Sequence, residues 1–193
     1  MAAYHPDGPL VLRLRGGDVD ALGDLYAKYK TNIYRTALAI TRDPGAAEDI
    51  LQETFSRLCN RAGRIRTDVS VLPWLYRVAV NLSYSWVQRQ KRRAGVLEGL
   101  LDRLVTSLQL LPDQVVEEKE AQEAVQEAIL GLPMSHRIVV VLHYLEGLGL
   151  AEIAEILQIP EGTVKSRLHY ARHALRKALD GHLPVSGVVY EFT

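Results

Sequence analysis

Apolar residues recur along most of the chain at steps of three and four, the spacing of one face of a helix. From Val19, the set Leu22, Leu25, Tyr26, Tyr29, Ile33, Ala37 and Ile40 predicts one long helix to about Thr41, which "RDPG" then breaks at Pro44. Ala47, Ile50, Leu51, Thr54, Phe55 and Leu58 mark a second helix over roughly 45–60. Gly63 to Ser70 reads as loop, and Pro73 suits the first turn of a third helix running to about Arg93. From Ala94 to about Glu117 leucines persist, but Gly95, Gly99 and Pro112 interrupt them, so this stretch reads as a linker with transient helix. Four shorter helical segments follow, at roughly 117–130, 134–145, 150–157 and 161–179, joined by "GLP", "EGLG" and "QIPEG". The final "DGHLPVSGVVYEFT" fits no helix and reads equally as a short strand or a frayed end. No segment alternates long enough to make a convincing internal strand.

The expectation is therefore an all-α protein of two helical domains joined by a flexible linker. The boundaries fall at 1–93, 94–117, 118–179 and a tail of 180–193. With 193 residues, each domain can bury a modest core. A hydrophobic fraction of 48% beside 24% charged residues is the balance of a soluble globular protein. The single cysteine, Cys59, allows no internal disulfide and fits a reducing cytoplasm. No apolar run approaches the ~20 residues of a membrane span, and "MAAYHPDGPL" lacks the regions of a signal peptide, so no membrane insertion is expected.

A net charge of zero would ordinarily argue against a nucleic-acid partner, but the zero averages opposed blocks. Residues 72–93 hold Arg77, Arg89, Lys91, Arg92 and Arg93 with no acid. Residues 94–130 are strongly acidic, and 161–177 carry Lys165, Arg167, Arg172, Arg176 and Lys177 against Glu161 alone. Phosphate binding follows local charge, so this segregation matters more than the sum.

"LAEIAEILQIPEGTVKSRLHYARHAL" has the layout of a helix-turn-helix. A short helix turns Leu150, Ile153, Ala154 and Leu157 inward, Ile159 plugs the corner, and Pro160 starts a second helix with Val164, Leu168, Ala171 and Leu175 inward. The early outward positions of that second helix are Lys165, Ser166, His169, Tyr170 and Arg172, the places from which this motif reads base edges in the major groove. Lys and Arg suit guanine's acceptors, Ser and Tyr serve phosphate or base, and the helix amides near Gly162 and Thr163 suit a phosphate. The same basic face on an isolated helix would be only solvated; the short helix and corner before it favour DNA. His169 and His173 are four apart, yet no Cys, Asp or Glu joins them, so no metal is expected. There is no Gly-rich phosphate loop, no activated nucleophile and no carboxylate pair that singles itself out, so neither enzyme chemistry nor a cofactor is expected.

In the first half, "PGAAEDILQETFSRL" sets Asp49, Gln52 and Glu53 along a partly exposed face. "PWLYRVAVNLSYSWVQRQKRR" interleaves Trp74, Tyr76, Tyr84 and Trp86 with bases, as single-stranded DNA binding does, although at least two of these aromatics read as core. These stretches carry a resemblance. "ALGDLYAKYKTNIYRTALAITRDPGAAEDILQETFSRL" with "WLYRVAVNL" and its basic run resembles region 2 of bacterial RNA polymerase sigma factors. "LPMSHRIVVVLHYLEGLGLAEIAEILQIPEGTVKSRLHYAR" resembles region 4. The order and the linker are similar to the small two-domain extracytoplasmic-function branch, over roughly 9–93 and 118–179.

The resemblance implies a transcription initiation factor that binds core polymerase, recognises −10 and −35 promoter elements and helps melt the duplex, in the cytoplasm and at the nucleoid when bound to polymerase. Asp49, Gln52 and Glu53 would dock on the coiled coil of the polymerase's largest subunit. The loop before Pro73 would capture an extruded −10 base with Asn81 at the specificity position, while Arg77 and the run Arg89, Lys91, Arg92 and Arg93 hold the backbone. Thr163, Lys165, Ser166, Arg167, His169, Tyr170 and Arg172 would engage the −35 element. Region 4 would rest on the polymerase flap, the acidic linker would thread toward the RNA exit path, and an anti-sigma factor would restrain the protein.

The sequence departs from the family at several places: Ser85 where an acid is common, Val71 or Leu72 where a loop aromatic is common, Gly149 and Leu150 in place of a hydroxyl cap and an aromatic, and Tyr170 in place of Arg. Two other classes compete. A response-regulator-type helix-turn-helix regulator would need a receiver or ligand domain upstream, which the aromatic and basic first 93 residues do not resemble. A helical adaptor would leave the basic faces merely solvated.

Overall fold

The computed structural model describes residues 5–98 and 116–179, with side chains described for 5–93 and 124–179. Every regular element among them is helical. In chain order these are α1 (Gly8–Arg15), α2 (Val19–Thr41), α3 (Pro44–Arg61), α4 (Leu72–Glu98), α5 (Val116–Gly131), α6 (Met134–Val140), α7 (Leu150–Leu157) and α8 (Glu161–Leu179). A single 3-10 turn, Ala62–Arg64, follows α3, and a π-helical turn, Val141–Leu145, follows α6.

Local chemistry sets the boundaries. The Asp18 carboxylate accepts from the Asp20 and Ala21 amides and opens α2; Asp43 accepts from the Ala46 amide at 2.7 Å and opens α3 behind Pro44. Arg42 ends α2 in the left-handed region at φ 60°, and Gln158 ends α7 likewise at φ 54°. The predicted inward face of α2 is buried at Leu25, Tyr29, Ile33, Ala37 and Ile40, and that of α3 at every predicted position. Tyr26 differs: it is 37% exposed and meets the Phe55 ring edge-on, with centroids 5.0 Å apart.

Three departures from the sequence reading matter. The short helix α1 stands where no element was expected. It buries Val11 and Leu14 against the first half of the protein. α4 runs on to Glu98, five residues into the expected linker. In α7 the fully buried pair is Ile153 and Ile156, whereas Leu150, Ala154 and Leu157 are half-buried. The rest of the linker, 99–115, and the tail 180–193 lie outside the described residues.

α1 to α4 form one helical unit and α5 to α8 a second, and the two pack together along α2 and the first turns of α4. Arg137, buried in α6, donates to the Ile40 and Leu130 carbonyls, capping the end of α2 from the other unit. Arg42 bonds the Gln126 side-chain oxygen. At the end of the π-helical turn, Glu146 reaches into the seam with its side chain wholly buried. Its oxygens accept from Arg35 Nε and Nη2 at 3.0 Å each, from Asn32 Nδ2 at 3.1 Å and from the Tyr76 hydroxyl at 2.6 Å. Burial alone would raise the Glu146 pKa; the bonds from Arg35, Tyr76 and Asn32 outweigh it and hold the carboxyl below its ordinary value. Burial and the facing carboxylate push the Tyr76 phenol well above its ordinary range, so it stays a donor.

Candidate nucleic-acid interface

Three surfaces carry the predicted binding residues. The first is the outer face of α3. Ile50, Leu51, Thr54, Phe55 and Leu58 turn inward, so Asp49, Gln52 and Glu53 are left exposed together on the opposite side. Glu53 is also paired along the helix with Arg57 at 2.7 Å.

The second surface is the loop before α4 together with the exposed face of that helix. Leu75, Tyr76, Val78, Ala79, Val80 and Val87 bury the inner face. Arg77, Asn81, Tyr84, Ser85, Gln88 and Arg92 recur at three and four on the outer side, with Arg89 and Lys91 flanking them. Tyr84, Ser85, Gln88, Arg89 and Arg92 line an open surface depression, and Tyr84 is 46% exposed. Trp74 and Trp86 are half-buried, and Tyr76 is core. A stackable ring beside cations is therefore supplied chiefly by Tyr84.

In the loop, Val71 is 1% exposed and Leu72 half-buried, so neither stands out as a recognition side chain. The exposed apolar residue is Val69, at 42%. Beside it the Arg66 guanidinium grips the Asp68 carboxylate, with Nε to Oδ1 at 3.0 Å.

The ends of this loop are fixed from α1, which the sequence reading missed. Asp7, just before α1 and fully buried, accepts from the Val71 amide at 2.9 Å, the Ser70 hydroxyl at 3.0 Å, the Tyr29 hydroxyl at 2.7 Å and Lys28 Nζ at 2.5 Å. Burial would raise its pKa; the bonds from Lys28, Val71, Tyr29 and Ser70 outweigh it and hold the carboxyl below its ordinary value.

Arg77 does not face solvent freely. Its Nε donates to the Ile156 carbonyl at 3.0 Å and its Nη2 to the Glu155 carbonyl at 2.6 Å. These carbonyls lie at the C-terminal end of α7, where the Glu155 oxygen also accepts from the Gln158 amide at 3.3 Å, so a side chain predicted for DNA caps a helix of the second unit.

The third surface is the second helix of the helix-turn-helix. Val164, Leu168 and Ala171 are buried, at roughly 1.5–3 kcal/mol for each large side chain. The Ile159 amide closes the corner on the Ala154 carbonyl at 3.1 Å. With that face inward, Lys165, Ser166 and His169 are exposed, and Thr163, Arg167 and Arg172 half-exposed. Tyr170 is 63% exposed, stacked near His136 with centroids 6.4 Å apart and edge-on to His169. The Ser166 hydroxyl donates to the Thr163 carbonyl at 3.0 Å, leaving its lone pairs outward. Gly149 offers no side-chain cap to α7; instead Glu152 reaches back to the Gly149 amide at 2.8 Å, half of a capping box.

Among the described residues, no cluster of His, Cys, Asp and Glu is placed to hold a metal, and no helix is long and apolar enough to cross a membrane. Residues 25–93 match the family model of Sigma-70 region 2, and 122–175 that of Sigma-70, region 4. The chain is 36% identical over 176 residues to the ECF RNA polymerase sigma factor SigW of Bacillus subtilis, covering 88% of this chain and 94% of that protein. It is 36% identical over 156 residues to the ECF RNA polymerase sigma factor SigL of Mycobacterium tuberculosis, covering 80% and 86%. Among solved structures, CnrH in complex with the cytosolic domain of CnrY aligns with a TM-score of 0.67 at 22% identity, over 90% of this chain and 97% of that one. The sigma factor RpoE in complex with the anti-sigma factor NepR, from Bartonella quintana, aligns at 0.66 and 20% identity, over 82% and 96%. These two are likenesses of fold.

Proposed function

The chain belongs to the ECF branch of the RNA polymerase sigma factors, and from that premise we propose how its exposed faces divide the work of promoter recognition. As a sigma factor it is a transcription initiation factor, and a response-regulator-type identity is not favoured. The observation that carries the residue-level reading is the outward face of α8, where Lys165, Ser166, His169 and Tyr170 are presented to solvent by a helix whose apolar face is locked into the corner with α7. That face engages the −35 element in the major groove, with Thr163, Arg167 and Arg172 at its edges. The exposed side of α4, with Asn81 as specificity residue and Arg89, Lys91 and Arg92 on the backbone, engages the melted −10 strand beside the loop 65–71. Extruding a base costs a few kcal/mol, which pocket contacts must offset.

Asp49, Gln52 and Glu53 dock on the coiled coil of the polymerase's largest subunit, and the second unit rests on the flap. The division into 1–93, linker 94–117, 118–179 and tail 180–193 follows these roles. The protein works without enzymatic chemistry of its own, in the cytoplasm and at the nucleoid when bound to polymerase. Its regulatory partner is an anti-sigma factor, in keeping with the complexes in which the structural neighbours were solved. For Arg77 to reach DNA, the two units must part.

The test mixes the full chain with core polymerase and a promoter library. Promoter-dependent transcription is expected, and failure to co-purify with core would overturn the reading. Asn81→Ala weakens promoter opening while leaving core binding intact; equal loss of both would reject its role.

A further inference from the structure

The loop between α3 and α4 is tethered at both ends by one short helix. At the near end, Arg15, in the last turn of α1, donates Nε to the Ala62 carbonyl at 2.9 Å and Nη2 to the Ile65 carbonyl. At the far end, Asp7 holds the Ser70 hydroxyl and the Val71 amide. Ser70 carries the tether onward, because its oxygen also accepts from the Leu72 amide at 3.2 Å and so caps the first turn of α4. Ile65 and Val71, the two anchored residues, are 6% and 1% exposed. Between them Arg66, Asp68 and Val69 are exposed and Thr67 half-exposed, with Arg66 and Asp68 clasped together. A loop with fixed ends and a free tip enters binding with most of its conformational entropy already lost, which favours discrimination over adaptability.

We propose that α1 is a strap that pre-organises the −10 loop, with Asp7 and Arg15 as positioning residues for promoter specificity. Neither touches DNA. Asp7 acts through Ser70 and Val71 on the start of α4, and so on the placement of the Val69 tip relative to Asn81. Lys28 and Tyr29 of α2 hold the carboxylate in turn, at 2.5 Å and 2.7 Å, which ties the strap to the central stretch of α2. The proposal rests on the reading of this loop as the −10 recognition loop.

The experiment is a promoter selection from a randomised library, run with core polymerase and either the wild-type chain, Asp7→Ala or Ser70→Ala. Ser70→Ala removes the relay without touching α1 and serves where Asp7→Ala folds poorly. Base preferences are read at the −10 and −35 elements of the same selected molecules. The −35 preference, set by α8, is the internal control: a loss of folded protein lowers yield and leaves both motifs unchanged. The expected result is that a preference of about tenfold or more at a −10 position falls to within about twofold in the variants, with the −35 preference retained. Retention of both preferences by both variants, at whatever yield, would overturn the strap. Absence of any −10 preference in the wild type would overturn the loop reading and the strap with it, a distinguishable outcome because it precedes any substitution.

Discussion

Among the described residues, the Asp7 and Glu146 carboxylates are wholly buried, and they are buried for different ends. Asp7 lies inside the first unit, and its partners Lys28, Tyr29, Ser70 and Val71 all belong to that unit. Glu146 belongs to the second unit and is buried only against the first, by Asn32, Arg35 and Tyr76. Taking a charge out of water costs several kcal/mol in either place, and only a full set of donors makes it tolerable. For Asp7 the donors vanish only if the first unit unfolds. For Glu146 they would be exchanged for water if the seam opened, a seam across which the buried residues of both units form one continuous cluster. One carboxylate ties the first unit to itself, and the other ties the two units together.

The largest test of that contrast is Asp7→Ala. It strands the Val71 amide and leaves the Tyr29 and Ser70 hydroxyls with each other at 3.5 Å, while Lys28, partly exposed, regains water. The first unit should lose about 3 kcal/mol of stability, read as a shift of the urea midpoint. A loss below about 1 kcal/mol would mean the loop and α1 rehydrate independently, and the Asp7 half of the comparison would fail.

Next in size is Glu146→Ala, which should shift the closed-to-open balance of the two units by about 2 kcal/mol, near thirtyfold, with little change in the stability of either unit. The exposed Cys59, paired with Ala151→Cys for a donor and acceptor dye, reports it as a fall in energy transfer. Unchanged transfer would show that Arg137, Arg42 and Arg77 suffice to hold the seam.

Acid gives a gentler version of the same test. Because the folded pKa of Glu146 lies below its ordinary value of 4.5, its stabilisation is complete above that value and is lost as pH falls through the depressed one. Energy transfer should be flat between about pH 8 and 5 and decline only below the ordinary carboxylate range. Glu146→Gln removes that titration, so the part of the acid-induced fall in energy transfer that it abolishes is the part owed to Glu146.

The contrast also marks what the sequence could and could not tell. α2 and α8 match the reading at both ends because long apolar periodicity is a local signal, and α7, as short as α1, was legible as the first half of a helix-turn-helix pattern bracketed by "EGLG" and "QIPEG". α1 has such signals too, in Pro9, the Val11 and Leu14 spacing and the Gly16–Gly17 stop, but eight residues give periodicity little room. Asp49, Gln52 and Glu53 and the face of α8 were legible as outward positions, since an amphipathic pattern assigns both faces at once. Ile156 was not, because α7 is buried more widely than one stripe by the seam with the first unit. The buried carboxylates were illegible for a plainer reason. Their partners stand 21 to 64 residues from Asp7 and 70 to 114 from Glu146, and no local pattern encodes such a meeting. Arg77 was expected to contact DNA because of the family resemblance, and its place on α7 depends on the same seam.

Arg77 supplies the smallest and sharpest test. Its two bonds cap carbonyls at the end of α7 that water can also satisfy, so Arg77→Ala should move the closed-to-open balance by only about 1 kcal/mol, roughly fivefold. In the free protein it should thus resemble a weak Glu146→Ala. On promoter DNA the two should diverge. Glu146→Ala keeps every proposed DNA contact and opens the units, so duplex opening with core polymerase rises or holds. Arg77→Ala opens them less and removes a phosphate contact, so opening falls, and its salt dependence flattens by about one counterion. If both variants opened the promoter equally well, Arg77 would be a latch alone, and the seam would no longer hide any part of the DNA-binding face.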